Sequence, residues 1–425
     1  MKNELAIEAV RAVVSNIPDD GLATARDAAL RQLDKKGLPN TKDEDWKYTD
    51  LDAVISISNE WLAGGGAAAP VADAEVESVT ALFDFDWLII RNGTIDADSV
   101  AKLQEPGLDI GLLSAHANVP EYDAPLSDLN VALLRDGLSI TVSAEFASER
   151  PIAILHIDST DADVGVSQTR IAIKVEERAH ADFVEYHSSS GTAAHYANSV
   201  IDIQLMTDAR VDYVRLQDRD TLHKQTGRLR VSLDQRSQFH HAAFDFGGDL
   251  IRNDLDIQIV GSDSLASFSG LYLADGKQHI DNHTRVDHRV GPARSEQEYR
   301  GILSGKARCV WNGKAVVHSG ADGTDANQAN HNLLLSERSE IDAKPELEIY
   351  ADDVKCSHGN TVGQLDESAL FYLQTRGIDK PSARHLLTRA FAQKIVDMSP
   401  IPSIQEAISD QVAKRLARLI SGVQQ

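Results

Sequence analysis

The stretch RLRVSLDQRSQFHHAAFDF, residues 228–246, contains the pattern that decides the fold. Apolar residues alternate with polar ones from Leu229 to Leu233, and a polar turn centred on Ser237 ends the alternation. A period of two places successive side chains on opposite faces of a β-strand. A second strand-like run follows the turn, so the stretch predicts two strands joined by a short connection.

This strand–turn–strand unit recurs along the chain at a nearly fixed spacing. The residues at the turn centres are small or apolar, namely Ala179, Ala209, Ser237, Leu265, Ala307 and Ser339. The first three intervals are 30, 28 and 28 residues, and the 42-residue interval before Ala307 is interpreted as one coil with a histidine-rich insertion. A period of this size, with two strands in each repeat, predicts a parallel β-helix in which each coil buries its inward face against the next.

An antiparallel sandwich or barrel is the alternative architecture. Such folds are built from hairpins, whose short loops are rich in Asn-Gly and Asp-Gly pairs. These pairs are few between residues 150 and 365, and the turns there are longer than two residues. The pattern therefore favours the parallel β-helix.

Helical periodicity replaces the strand pattern at both ends of the chain. Residues 1–70 predict an N-terminal helical domain whose last part, Gly64–Pro70, has the composition of a flexible linker. Residues 71–365 form the predicted β-helix core, and residues 366–425 form a C-terminal helical domain with Asp366 as its first N-cap. The predicted fold class is therefore mainly β with α-helical ends.

The composition restricts the classes of partner and compartment. A formal net charge of -23 argues against nucleic acid and anionic membranes as partners, because both attract basic surfaces. The two cysteines are too few for a disulfide framework and fit a reducing compartment. The sequence shows neither the apolar core of a signal peptide nor a membrane-spanning run of about 18 apolar residues. We therefore expect a cytoplasmic protein.

Cys356 and His358 form the first candidate site. Their side chains would share one face of an extended strand, and the apolar phase changes at Asp352–Asp353, which predicts a turn or bulge just before them. A thiol beside an imidazole can ligate iron, zinc or copper, or act as a nucleophile with its base. The alternative is a buried cysteine beside a hydrogen-bonded histidine. The second cysteine, Cys309, shares a strand face with Trp311, which is typical of a core position.

A second group of candidates lies in the histidine-rich run. These possible metal ligands are His279, Asp281, His283 and His288. The first three alternate along the chain, which brings them to one face of a strand, where they could hold a divalent cation. The alternative is a set of polar side chains that are hydrogen-bonded locally.

No hydrolase or nucleotide-binding motif accompanies these residues. The chain lacks G-x-S-x-G, G-x-x-x-x-G-K-[ST] and a G-x-G-x-x-G that follows a strand. Enzymes built on β-helices often act on polysaccharides through clustered acids, and acids are abundant here. A carbohydrate-active enzyme therefore stays open as an alternative, on grounds of fold alone.

The C-terminal helices allow two interpretations. They could cap the open end of the solenoid, as terminal units often do. Leu370, Phe371 and Tyr372 are consecutive, however, and one helix face cannot bury all three. We therefore expect these helices to offer a surface to a partner protein.

The run from Asn327 to Ile378, with CSHG at Cys356–Gly359, resembles the SufB/SufD family of iron–sulfur cluster assembly scaffolds. Gly247–Gly261 and His279–Val290 resemble the same family. The total length and the N-terminal helical domain with EDWKYTDL, residues 44–51, resemble the SufD branch rather than the longer SufB. The aromatic residues of that segment are expected to pack a connector onto the core.

The resemblance implies a right-handed parallel β-helix between helical ends and a non-catalytic scaffold subunit. It implies a heterodimer with SufB and docking of the ATPase SufC on the C-terminal helices, at about Asp366 to Gly422. Sulfur would reach the complex from a SufS/SufE-type desulfurase pair. A homodimer of the isolated chain is a further expectation.

The resemblance also implies the roles of the candidate residues. His358 would act in cluster assembly across the SufB interface, as a ligand of nascent iron or cluster, and Cys356 would assist beside it. A cluster held by four thiolates cannot be built from two cysteines, so a transient iron–sulfur cluster or iron would be shared with SufB. A reduced flavin is implied for the assembled complex, with no residue assigned. A purely structural partner subunit is the remaining alternative.

Overall fold

The computed structural model of the chain describes residues 4–116 and 124–422. The strands are β1 (Trp87–Arg91), β2 (Thr94–Ile95), β3 (Leu108–Leu112), β4 (Leu138–Val142), β5 (Ile152–Thr160), β6 (Gly165–Val175), β7 (His180–Gly191), β8 (His195–Leu205), β9 (Arg210–Asp218), β10 (His223–Leu233), β11 (Gln238–Asp245), β12 (Leu250–Ile259), β13 (Leu265–Ala274), β14 (His279–His288), β15 (Arg294–Leu303), β16 (Arg308–Val317), β17 (Asp325–Leu334), β18 (Glu340–Ile349) and β19 (Lys355–Gly363). The α-helices are α1 (Ile7–Val14), α2 (Ala23–Lys36), α3 (Asp52–Ala63), α4 (Asp73–Thr80), α5 (Ala97–Lys102), α6 (Leu113–His116), α7 (Pro125–Leu133), α8 (Glu367–Thr375), α9 (Lys380–Asp397) and α10 (Gln405–Gly422).

The chain alternates between two long sheets, once in each coil. The odd sheet contains β5 to β19 in steps of two, and the even sheet contains β4 to β18 in the same way. Each strand in these two series pairs in parallel with the strand two positions further along the chain. The predicted parallel β-helix, mainly β with helical ends, is therefore confirmed.

Short antiparallel strands close the N-terminal end of both sheets. In the odd sheet β1 pairs in parallel with β5 and antiparallel with β2. Asn92 and Gly93 join β1 to β2 with φ angles of 46° and 76°, the left-handed conformation that a two-residue hairpin needs. In the even sheet β3 pairs antiparallel with β4. The antiparallel additions leave the parallel coils open only at the other end.

The predicted insertion in the long interval was wrong. Leu265 begins β13, and the buried centre of that turn is Ser264. Ala307 lies in the opposite set of turns, between β15 and β16. The histidine-rich run is the regular strand β14, which pairs in register with β12 and β16. Both sets of turns bury a small residue. The predicted series of turn centres therefore changed from one set to the other after Leu265, although the coils themselves continue regularly.

The N-terminal helices cover the outer face of the even sheet. Side chains of α1 to α3 pack with α7 and with Val166 and Tyr196, which point outward from β6 and β8. The Gly- and Ala-rich segment that follows α3 is held at two points: Trp61 Nε1 donates to the carbonyl of Ala67 at 2.9 Å, and Asn92 Nδ2 to that of Ala69 at 2.7 Å. The segment predicted as a flexible linker is therefore tied to its surroundings.

Residues 44–49, which we call the strap, run across four strands of the even sheet. Trp46 lies against the guanidinium of Arg252 on β12, with 4.4 Å between its ring centroid and the guanidinium carbon. The Thr49 hydroxyl meets His279 Nε2 at 2.8 Å and donates to Asp281, both on β14. Tyr48 lies against the guanidinium of Arg308 on β16. Glu44 forms an ion pair with Lys344 on β18 at 2.8 Å. The expectation that this connector packs onto the core is confirmed.

Thr49→Ala tests the strap. Thr49 is buried, and alanine would remove a hydroxyl that serves the buried Asp281 and the half-buried His279 of β14, at a cost of about 1–2 kcal/mol in the free energy of unfolding. Urea unfolding measures the difference. Thr41→Ala, at an exposed position before the strap, is the control. Equal stability of the two variants would show that the strap contributes nothing.

The C-terminal helices pack along the side of the solenoid. Apolar residues of α9 and α10 and the following turns cover the outer face of the odd sheet, including Ala392, Ile395, Val396, Ile404, Ile408, Val412 and Leu416. The interpretation that these helices cap the open end is therefore wrong, because their apolar faces match the outward apolar rows of β7 to β15. Within the described ranges, no helix has the length and apolar character that a bilayer crossing requires.

Candidate functional site

The last coil of the β-helix positions Cys356 and His358. Both lie on β19, where Cys356 pairs with Ala326 and His358 pairs with Gln328 of β17. Those two partners are buried and belong to rows that face the interior of the solenoid. Cys356 and His358 are the last members of these inward rows. Because no coil follows β19 to cover them, His358 is exposed and Cys356 is half-buried. The two side chains therefore line the mouth of the β-helix.

The predicted break before these residues is confirmed. The strand β18 ends at Ile349 and β19 begins at Lys355, so Asp352–Asp353 lies in the turn between the two sheets. Both β18 and β19 have a neighbour on one side only. The open end thus presents two unpaired strand edges next to the candidate site, an arrangement that readily accepts another chain.

The chemistry of Cys356 favours a ligand over a preformed nucleophile. Burial raises the pKa of the Cys356 thiol, so the thiolate that a nucleophile requires is disfavoured. A metal ion would displace the thiol proton on binding. Neither Cys356 nor His358 belongs to a group of three metal-ligating side chains among the described residues. The described residues therefore do not complete a set of metal ligands at the mouth.

Cys309 is a core residue, as expected. It lies on β16, fully buried beside Trp311 in the main apolar cluster. Burial raises the pKa of its thiol far above the ordinary range. This cysteine is accordingly kept neutral and out of reach of solvent.

The metal hypothesis for the histidine-rich strand is not supported by the structure. Asp281 accepts from Thr49 and from Arg252 Nη1 at 2.6 Å, and His283 Nε2 lies 3.1 Å from its Oδ1. His288 belongs to the inward face instead, where its Nε2 meets the Ser295 hydroxyl at 2.9 Å. These contacts favour the local hydrogen-bonding alternative, although Asp281 Oδ1 itself makes no hydrogen bond, and Asp281 and Arg252 hold the strap.

The structure reveals a buried polar network that the sequence reasoning missed. Glu185 Oε1 lies 2.8 Å from His187 Nε2 and 3.1 Å from His156 Nε2, and Tyr213 donates to Oε2 at 2.8 Å. Burial lowers the pKa of His187 to about 3, so its ring is neutral at physiological pH. Burial alone would raise the pKa of Glu185, but the two histidines lower it well below the usual range.

Arg219 joins a second carboxylate to the buried network. It donates from Nη1 to Asp158 at 2.5 Å, and its Nη2 lies 3.4 Å from His187 Nδ1. That approach by a donor favours the tautomer in which His187 Nε2 carries the proton and donates a hydrogen bond to Glu185. Both carboxylate oxygens of Glu185 therefore face a donor, whereas His156 Nε2 makes no hydrogen bond. Glu185 and His187 stand two residues apart on β7, but only the strand register brings His156 and Tyr213 to them.

Comparisons with known proteins give the family. Residues 156–391 match the model for "SUF system FeS cluster assembly, SufBD core domain", and residues 7–61 match the model for "SufBD protein N-terminal region". The first match alone covers more than half of the chain. The chain belongs to the SufB/SufD family. Its role thus lies in iron–sulfur cluster assembly by the SUF system, where iron or clusters are the cargo and partner proteins are required.

Individual relatives agree with the assignment to the SufB/SufD family. The chain is 27% identical over 391 residues to the iron–sulfur cluster assembly protein SufD of Escherichia coli, covering 91% of both chains. It is 29% identical over 432 residues to a SufBD family protein of Synechocystis, covering 95% of this chain and 93% of that one. A chloroplastic protein of Arabidopsis thaliana, ABCI7, is 25% identical over 412 residues, covering 92% of this chain and 85% of that one. The predicted resemblance to the SufD branch is confirmed.

Proposed function

We propose that this SufB/SufD family chain is a non-catalytic scaffold subunit whose open end joins a SufB-type partner. The observation that carries the proposal is the position of His358 and Cys356 on the last strand, facing inward where no further coil covers them. The cargo site would then form only when the partner closes the mouth.

The surface around the mouth supports a partner there. The edges of β18 and β19 offer free backbone donors and acceptors, which a second chain can pair with by adding strands. Tyr350 and Val362 beside these edges are 62% and 50% exposed, although both are large and apolar in part. In the isolated chain the same edges could pair with a second copy, which is the proposed route to a homodimer.

The donor chemistry supports shared ligation of the cargo. His358 and Cys356 provide at most two ligands, whereas a cluster needs about four. SufB would supply the rest, with sulfur delivered indirectly from a SufS/SufE-type pair. A reduced flavin in the complex and a cytoplasmic location remain part of the proposal, without residues assigned to the flavin.

The first C-terminal helix supports docking of the SufC-type ATPase. Phe371 and Tyr372 on α8 are 68% and 55% exposed, and Leu386 on α9 is also exposed. Exposed large apolar side chains that lie close together are typical of protein interaction sites. Movement of α8 by the ATPase could reach the mouth directly, because α8 follows β19 after only a short connection.

Phe371→Ser combined with Tyr372→Ser tests the docking of the ATPase. We expect the variant to keep its fold and its SufB-type partner but to lose the ATPase in co-purification of the co-expressed complex, because both side chains are exposed in the isolated chain. Leu82→Ser is the control. Leu82 is an exposed apolar residue far from α8 in the sequence, so this variant should retain all partners. Retention of the ATPase by the double variant would place its docking surface elsewhere.

Truncation after Gly377 is less informative than these substitutions. It would remove α9 and α10, whose apolar side chains are buried against the odd sheet. Burial of each such side chain contributes about 1.5–3 kcal/mol. The truncated chain would therefore lose its own fold together with its partners.

A further inference from the structure

A second group of metal-ligating side chains lies on the outer face of the odd sheet. His180 and Asp182 stand two residues apart on β7, and Asp212 is the register partner of Asp182 on β9. His180 Nε2 lies 3.2 Å from Asp182 Oδ1 and 3.5 Å from Asp212 Oδ2. One atom from each of the three side chains lies within 4.8 Å of the others. The three donors thus converge on a single point at the surface.

The separations suit a first-row divalent cation. Nitrogen and oxygen ligands lie about 2.1 Å from such an ion, which puts neighbouring ligand atoms about 3.0–3.4 Å apart in octahedral or tetrahedral geometry. The two measured separations from His180 are close to this interval. The side chain of His180 is 53% exposed, so a cation could enter from solvent.

An unpartnered atom points to a missing ligand. Asp182 Oδ1 makes no hydrogen bond, although it is buried and close to His180, because the approach lacks hydrogen-bond geometry. Buried polar atoms without partners are rare in native proteins and call for an explanation.

The contacts that compete with a cation are limited. Arg210 donates to Asp212 from Nη2 at 2.8 Å and from Nε at 3.3 Å, which orients that carboxylate and offsets its charge. The carboxylates of Asp182 and Asp212 beside His180 raise the pKa of its imidazole to about 9, so an incoming cation has to displace a proton. The buried network at Glu185 differs, since both oxygens of that carboxylate already accept hydrogen bonds, from His187 and Tyr213.

We propose that His180, Asp182 and Asp212 bind one divalent first-row cation, with Fe²⁺ as the ion of functional interest. The choice of Fe²⁺ rests on the proposed role in cluster assembly, whereas the site itself rests on its geometry. Five strand steps of about 4.8 Å separate β9 from β19, so the cation would lie roughly 24 Å or more from the mouth. The site would hold iron apart from His358.

Anaerobic titration of the purified full-length chain with Fe²⁺ alone tests the proposal. We expect wild type to bind one equivalent more than His180→Gln/Asp182→Asn, or to bind it at least about tenfold more tightly. X-ray absorption of the bound iron should show nitrogen and oxygen ligands only. His318→Gln is the matched control, because His318 meets only one carboxylate, that of Asp287 at 2.8 Å.

Equal iron binding by wild type and the double variant would overturn the proposal, as would sulfur in the iron shell, which would implicate Cys356. If the double variant unfolds, Asp182→Asn alone provides the comparison, since Asp182 Oδ1 makes no hydrogen bond in the fold. The assembly role is judged separately, by cluster yield of a His358 variant in the complex. If the His358 variant loses cluster yield but no iron binds to the group at His180, this inference is refuted and the proposed function stays intact.

Discussion

His358→Ala should abolish cluster formation by the assembled complex while leaving the chain folded and able to bind its partners. The side chain is exposed and makes no hydrogen bond or ion pair within the part of the chain that the structure describes, so its removal costs little stability. In the complex, however, it would face the cargo at the closed mouth. Loss of one of about four ligands should prevent a stable cluster. Anaerobic reconstitution, followed by visible absorbance and iron content, measures the yield.

His331→Ala is the matched control for this variant. His331 lies on the neighbouring strand β17, but it belongs to the outward row, where its Nδ1 meets the Thr361 hydroxyl at 2.7 Å. The control should therefore form clusters at the wild-type level. A normal yield from His358→Ala would favour the purely structural alternative, in which only SufB carries the chemistry. Cys356→Ser should reduce the yield less than His358→Ala, because Cys356 is half-buried and is expected only to assist beside the exposed His358.

Acid should unfold the chain steeply below about pH 6.5. Five buried histidines have pKa values of about 3 or 4, lowered first of all by burial: His187, His195, His223, His241 and His288. Each is neutral in the folded state and binds a proton at about pH 6.5 in the unfolded state. Between those values the unfolded chain holds the additional protons, so stability falls as the pH falls.

The expected size of the acid effect is large. Each extra proton on the unfolded chain contributes about 1.4 kcal/mol per pH unit, so five contribute about 7 kcal/mol per unit where the transitions overlap. Total stabilities are about 5–15 kcal/mol. Burial raises the pKa of Asp245 and Asp256, which offsets part of the slope with the opposite sign. We still expect unfolding at or above about pH 4.

Circular dichroism and urea unfolding at several pH values measure this slope. His241→Gln should decrease the slope by about 1.4 kcal/mol per pH unit, the contribution of one proton, because both ring nitrogens of His241 are buried without partners. His358→Ala is the control, since that ring is exposed to solvent, and it should keep the wild-type slope. A free energy of unfolding that does not change between pH 6.5 and 4 would contradict the prediction.

The coils could be predicted because the interior imposes a period of two on every strand. Alternation in runs such as Leu229 to Leu233 identified the strands, and the change of apolar phase at Asp352–Asp353 located the last turn correctly. The sequence could not distinguish the two sets of turns, because Ser264 and Ala307 are both small and buried although they lie on opposite sides of the solenoid. That ambiguity produced the incorrect insertion.

The candidate site could be predicted only in part, for a similar reason. Cys356 and His358 are two residues apart, so local alternation places them on one face. The Glu185 network and the group at His180 are assembled across strands about 30 residues apart, and no local pattern encodes which positions meet. The inward direction of His358, and its exposure, follow from the register with Gln328 and from the missing next coil.

The strap has a consequence for the order in which the protein is made. It holds residues near the N-terminus against the final full coil, and Glu44 and Lys344 are 300 residues apart in the chain. The ribosome synthesises the strap long before β18. The N-terminal helices are therefore present before the coils that the strap contacts have formed. Closing this contact is the most distant loop closure described above, and such contacts form late. The mouth that presents His358 would therefore be braced from the N-terminal side only after most of the polypeptide has been synthesised.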